Sequence, residues 1–140
     1  MGLALYTASS KATGGRQGNV KSSDGTLDLD LSIPKGLGGK EVEGTTNPEQ
    51  LFSAGYAACF DSALQLVARQ AKKKTTSAVT AEVSIEKKLK GFGLAVSLHI
   101  EIEGVTQEEA EKLVEDAHQV CPYSRAIEGN VKVKKTVKAI

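Results

Sequence analysis

The sequence has no tryptophan, one methionine, three prolines and only two cysteines. Aromatic residues make up 4% of the chain, three tyrosines and three phenylalanines. No unbroken run of eighteen apolar residues occurs, so no membrane-spanning helix and no membrane partner are expected. An excess of positive charge is also missing. Eighteen Lys and Arg against seventeen Asp and Glu leave a formal net charge of +1. A protein held on nucleic acid by phosphate contacts concentrates basic residues, so a nucleic-acid partner is not expected. The N-terminus lacks a basic segment followed by an apolar one, so no secretory signal is expected, and the default location is the cytoplasm. In that compartment a permanent disulfide is disfavoured. The two cysteines are therefore reduced bystanders, metal ligands or redox-active groups.

What is present fits one α+β domain over residues 1–140. Residues 3–33 read as β structure. Leu27 to Ile33 alternates apolar and polar residues, and Gly14, Gly15 and Gly18 mark a turn around Arg16. The glycine-rich residues 34–46 read as a mobile loop or flap. Asn47 is a good N-cap, with Pro48 at the first helical position and Gln50 three residues after the cap, so a long helix is expected to about residue 72. Its small and apolar interior suggests a central, buried helix. Two strands follow, with Val79, Ala81, Val83 and Ile85 on one and Leu94, Val96, Leu98, Ile100 and Ile102 on the other. Gly91-Phe92-Gly93 is the expected hairpin turn between them. Thr106 and Glu109 form a capping box for a second helix, which Pro122 ends just after Cys121. Gly129 leads to a last strand through Val131, Val133 and Val137.

Few side chains have the spacing of a reactive centre. Cys59 lies in a small-residue helical stretch, where a cysteine is most simply a core residue. Cys121 reads equally as an inert core residue, but if Pro122 begins a new helical turn, Cys121 lies at a helix N-terminus, where a thiolate is favoured. His118 and Cys121 are three apart and could chelate a metal with Cys59, but a fourth ligand is missing, since His99 falls on the polar side of a strand. No metal is expected. No Gly-x-Ser-x-Gly elbow and no phosphate-binding loop occur. Glu49 in the first turn of the long helix suits the helix dipole, and Arg16 reads as an exposed turn residue.

Four motifs in order then match a known family. Gly14-Gly15-Arg16, Thr46-Asn47-Pro48-Glu49-Gln50-Leu51-Phe52, Gly55-Tyr56-Ala57-Ala58-Cys59-Phe60 and His118-Gln119-Val120-Cys121-Pro122-Tyr123-Ser124 resemble the organic hydroperoxide resistance (Ohr) proteins of the OsmC/Ohr peroxidase family. The resemblance runs from about residue 3 to the C-terminus. It implies antiparallel sheets packed around a long central helix in an intertwined homodimer, with two sites at the interface. It also implies reduction of organic hydroperoxides to alcohols without metal, flavin or other cofactor. Cys59 matches the peroxidatic cysteine, Cys121 the resolving cysteine, and Arg16 and Glu49 the pair that activates the thiolate. Dihydrolipoyl groups or other dithiols are the implied reductant. The alternative is a redox-sensing or binding protein that uses the same cysteine pair without turnover.

One geometric expectation follows from the spacing. Glu49 and Cys59 lie ten residues apart on one predicted helix, about 15 Å along its axis. They cannot touch within a straight helix. Two copies of that helix crossing antiparallel near Ala54-Gly55 would bring Glu49 of one subunit toward Cys59 of the other, completing the site in trans.

Overall fold

The computed structural model describes residues 2–140. The fold is α+β, and the chain divides into two compact units, Met1–Leu51 and Phe52–Ile140.

The first unit is built on a three-stranded antiparallel sheet of β1 (Ser10–Thr13), β2 (Asn19–Ser22) and β3 (Asp28–Asp30), in that order. Residues 3–9, expected to extend this β structure, form no strand. Leu3, Leu5 and Tyr6 are almost fully exposed, with no strand paired alongside to take up their backbone groups. The β1–β2 connection is a single 3-10 turn, Gly15–Gln17. Gly14 and Gly15 adopt positive φ (79° and 57°) there, and a Cβ on Gly18 would fall 1.7 Å from the Thr13 carbonyl oxygen. The turn therefore requires glycine, and it presents Arg16.

The segment after β3, read above as a mobile loop or flap, carries hydrogen bonds of its own. Lys35 N–H donates to Glu41 Oε1 (3.2 Å) and Val42 N–H to Ser32 Oγ (3.0 Å). At its end Thr46 N–H donates to the Asp30 carbonyl and accepts Ser32 N–H on its own carbonyl (2.9 and 3.1 Å). These bonds bring the start of α1 (Pro48–Gln70) beside β3. Asn47 caps that helix as expected, its Oδ1 accepting Gln50 N–H at 2.8 Å.

The second unit holds the rest of α1, β4 (Thr76–Lys87), β5 (Phe92–Glu103), α2 (Gln107–Val120), α3 (Pro122–Ile127) and β6 (Val133–Ala139). β4 and β5 pair antiparallel along their whole length. Their turn falls on residues 88–91, closed by Lys88 N–H on the Gly91 carbonyl with Gly91 at φ 71°. Phe92 and Gly93, expected in the turn, already belong to β5. β6 adds to the other side of β5 in parallel, so this sheet is mixed. A parallel partner needs a long crossover, which α2 and α3 supply.

The core lies between α1, β5 and α2. Tyr56, Phe60, Leu64 and Val67 recur at helical spacing on α1, against Val96, Leu98, Ile100 and Ile102 of β5 and Ala110, Leu113, Val114 and Ala117 of α2. Each fully buried large side chain here contributes about 1.5–3 kcal/mol. Although no unbroken apolar run occurs, α1 is long and apolar enough to cross a membrane by length and composition alone. Alanine, leucine and phenylalanine raise its mean hydropathy, while one face of it packs into this core. The capping box of α2 forms as expected. Thr106 Oγ1 accepts Glu109 N–H, and Glu109 Oε1 accepts Thr106 N–H.

Candidate functional site

The α2–α3 junction decides where Cys121 sits. Proline cannot follow a helical residue without a clash, and Cys121 accordingly turns to an extended conformation (φ −65°, ψ 122°). Its N–H still closes α2 on the Ala117 carbonyl at 2.9 Å, while Pro122 opens α3. The chain turns out of α2 there, and Cys121 is fully buried. Its Sγ lies 3.8 Å from Sγ of Cys59, and both thiols are free. The two cysteines, 62 positions apart, are thus brought together within the second unit.

Four of the six aromatic rings of the chain cluster around Tyr56, one turn before Cys59 on α1. Phe52, Tyr56 and Phe60 line α1, and the Tyr123 ring packs at 5.9 Å from Phe52 and 5.7 Å from Tyr56. Tyr123 reaches this position because Gly55 has no side chain; a Cβ there would lie 2.7 Å from Tyr123 Oη. The seated residue directs its backbone N–H at the Cys59 sulfur. Amides in a first helical turn have no acceptor within the helix, so this one is free to serve the thiol. Burial pushes the Cys59 thiol above its ordinary range, and the nearby Cys121 sulfur adds to the rise. The Tyr123 amide works against both.

Sequence reasoning missed a second link beside the sulfurs. Tyr56 Oη lies 2.6 Å from Ser124 Oγ, and Ser124 Oγ lies 2.9 Å from His118 Nδ1. Burial raises the Tyr56 hydroxyl, with the Ser124 hydrogen bond opposing. His118, considered above as a metal ligand, has its Nδ1 engaged by this serine. It is held below its ordinary value by burial and by Lys135, against Glu115 and Glu128. His99 pairs across the strands with Glu82. No cluster of three or more potential metal ligands occurs among the described residues.

Arg16 and Glu49 meet within the first unit. Arg16 Nη2 donates to Glu49 Oε2 at 3.0 Å and lies 2.9 Å from Oε1. The Glu49 side chain is 13% exposed and that of Arg16 32%. One guanidinium nitrogen, Nη1, is buried without an acceptor among the described residues. The glycine turn supplies the cation and the first turn of α1 the carboxylate, 33 positions apart.

The chain as a whole is similar to known proteins. Residues 38–136 match the family model described as OsmC-like protein. The chain is 53% identical over 135 residues to the organic hydroperoxide resistance protein OhrA of Bacillus subtilis, covering 95% of this chain and 96% of that one. Among solved structures, the organic hydroperoxide resistance protein OsmC of Legionella pneumophila superposes with a TM-score of 0.92 at 54% identity, covering 97% of this chain and 99% of that one. A Vibrio cholerae protein described as a putative organic hydroperoxide resistance protein, with captopril bound in one of its active sites, gives a TM-score of 0.90 at 46% identity. That match covers 96% of this chain and 93% of the other.

Proposed function

This chain belongs to the OsmC/Ohr family of organic hydroperoxide resistance proteins, and on that footing we propose that it is a thiol-dependent peroxidase converting organic hydroperoxides to alcohols. The observation that carries the reading is the pair of free thiols 3.8 Å apart, Cys121 buried and Cys59 half-buried. Attack by the Cys59 thiolate on the distal peroxide oxygen breaks the O–O bond, and the departing alkoxide takes a proton and leaves as alcohol. Cys59 becomes a sulfenic acid. Attack by Cys121 expels water and forms a Cys59–Cys121 disulfide, which a dithiol, a dihydrolipoyl group in our reading, reopens by exchange.

The thiolate is the reactive form. Burial disfavours it at Cys59, so the reading requires a compensating charge. Each unit by which the thiol must be brought down needs about 1.4 kcal/mol of preferential thiolate stabilisation. A guanidinium in a water-poor pocket supplies that order of energy and stays protonated at any working pH. We assign that role to Arg16, with Glu49 holding the guanidinium by the ion pair described above. The aromatic surroundings of Cys59 favour alkyl or lipid peroxides over hydrogen peroxide.

The decisive experiment follows turnover of cumene and fatty-acid hydroperoxides with dihydrolipoamide. We expect turnover that Cys59→Ser abolishes and a lower rate with hydrogen peroxide. Loss of thiols without repeated turnover under any dithiol would instead make the pair a sensor.

A further inference from the structure

Tyr56 stands three residues before Cys59 on α1, and Ser124 three residues after Cys121 in α3. A spacing of three puts Tyr56 and Cys59 on one face of α1, while Cys121 caps the first turn of α3 that carries Ser124, its carbonyl accepting Arg125 N–H at 3.0 Å. Two cross-links therefore run side by side between the same two segments: the sulfurs at 3.8 Å and the hydroxyls at 2.6 Å. Ser124 also bonds His118 in the last turn of α2, so one hydroxyl ties α1, α2 and α3 together at the bend that carries Cys121. Tyr56 and Cys121 are fully buried, and Ser124 is 2% exposed.

We propose that Tyr56, Ser124 and His118 are positioning residues that set the approach of Cys121 to Cys59 and so control closure of the disulfide, leaving the attack on peroxide to other groups. The inference rests on the peroxidase reading above. Closure is Cys59–S–OH plus Cys121–S–H giving Cys59–S–S–Cys121 plus water. The S–O and S–H bonds break, the S–S bond and one O–H bond form, the sulfenic sulfur is reduced and the thiol sulfur oxidised. The sulfurs must move from 3.8 Å to about 2.05 Å. A step of this kind gains most from having its partners held within reach beforehand.

The chain of bonds has a polarity. With His118 neutral and Nδ1 bare, Tyr56 O–H donates to Ser124 Oγ, and Ser124 O–H donates to His118 Nδ1, so every group is satisfied. Protonated His118 would donate instead, turning Ser124 O–H toward Tyr56 and leaving the Tyr56 proton without its acceptor. Burial and Lys135 of β6 favour the neutral ring, and Glu115 of α2 and Glu128 beyond α3 oppose them; Arg125 of α3 shares a cleft of about 190 Å³ with His118 and Ser124.

The test is a single turnover with one equivalent of cumene hydroperoxide. It follows loss of the Cys59 thiol, sulfenic acid trapped by dimedone, and appearance of the Cys59–Cys121 disulfide. In Tyr56→Phe and Ser124→Ala we expect closure about tenfold slower, the scale of one lost buried hydrogen bond, with thiol loss at the wild-type rate and more trapped sulfenic acid. His118→Ala should behave alike, and His118→Asn, which keeps an acceptor near the Nδ1 place, should recover much of the rate. Closure at the wild-type rate in both Tyr56→Phe and Ser124→Ala, or an equal fall in both steps, overturns the inference. Should Ser124→Ala not fold, Tyr56→Phe keeps the ring and decides alone. A wild-type protein that forms no Cys59–Cys121 disulfide refutes the peroxidase reading and this inference with it; a wild type that closes while the variants match it refutes this inference only.

Discussion

Cys59 and Cys121 hold their sulfurs 3.8 Å apart while both remain reduced. A bond between them would close a loop spanning 62 positions, worth about 4 kcal/mol of stability if chain entropy dominates. One equivalent of organic hydroperoxide should therefore consume two thiols per chain with no crosslink between chains. The oxidised protein should unfold at a higher urea concentration than the reduced one. Thiol counting, non-reducing electrophoresis and a pair of urea melts check this. A product crosslinked between chains would count against the pairing.

The Arg16–Glu49 ion pair makes a sharper demand on chemistry. If Arg16 keeps Cys59 ionised, Arg16→Lys should cost reactivity despite preserving charge, because a lysine cannot reproduce the planar fork. We expect Arg16→Ala to slow the reaction with peroxide about a hundredfold, the equivalent of roughly 3 kcal/mol. Arg16→Lys and Glu49→Gln should fall between that variant and the wild type. The pH dependence of Cys59 alkylation, measured in a Cys121→Ser background, should shift upward in each. An unshifted profile in Arg16→Ala would remove Arg16 from the account.

A homodimer with sites completed in trans predicts complementation between defective subunits. In a mixed dimer of Cys59→Ser and Glu49→Ala chains, a trans arrangement puts both lesions in one composite site and leaves the other intact, so about half the wild-type activity per dimer should return. A cis arrangement puts one lesion in each site, and little activity should return. Co-expression with two different tags, followed by tandem purification, supplies the mixed species.

Elements governed by local rules were legible in advance. The α1 cap at Asn47 and the α2 capping box between Thr106 and Glu109 involve residues three apart, so the pattern contains both partners. The apolar alternation of Val96, Leu98, Ile100 and Ile102 likewise identified a buried strand face. Alternation reads the same for either strand direction, so the parallel placement of β6 on β5 was not visible. Nor does β propensity supply a partner, and residues 3–9 form no strand. The hairpin turn was misplaced because glycines flank Phe92 on both sides and only Gly91 takes positive φ. The two site pairs span 62 and 33 positions, beyond what spacing can connect, and only the family resemblance linked them. Tyr56 and Ser124 could have been found once the cysteines were paired, since they flank them symmetrically at three residues.

The end of α1 offers a test of backbone energetics alone. Lys72 adopts φ 58°, and Lys73 N–H reaches back to the Ala68 carbonyl at 2.9 Å, the closing bond of a Schellman cap. A side chain costs energy in this conformation and glycine does not. Lys72→Gly should stabilise the reduced protein by up to about 1 kcal/mol, and Lys72→Val should destabilise it, as read by urea melts. Peroxide reactivity should be unchanged in both.

His118 gives the protein a pH-dependent term of definite sign. Burial and Lys135 hold its folded pKa below the ordinary histidine value, near 6.5 in an unfolded chain. Between those two values the unfolded chain binds more protons than the folded one, so stability rises with pH across that window. Above it both states are neutral and the term vanishes. As pH falls through the window, the unfolded chain is protonated first and the folded state loses ground. The urea midpoint should therefore drop between pH 7.5 and pH 5.5 by more in the wild type than in His118→Asn, which has no proton to gain. Equal drops in the two proteins would show that Glu115 and Glu128 offset the burial of the ring, and that the bond from Ser124 is kept without favouring neutral His118.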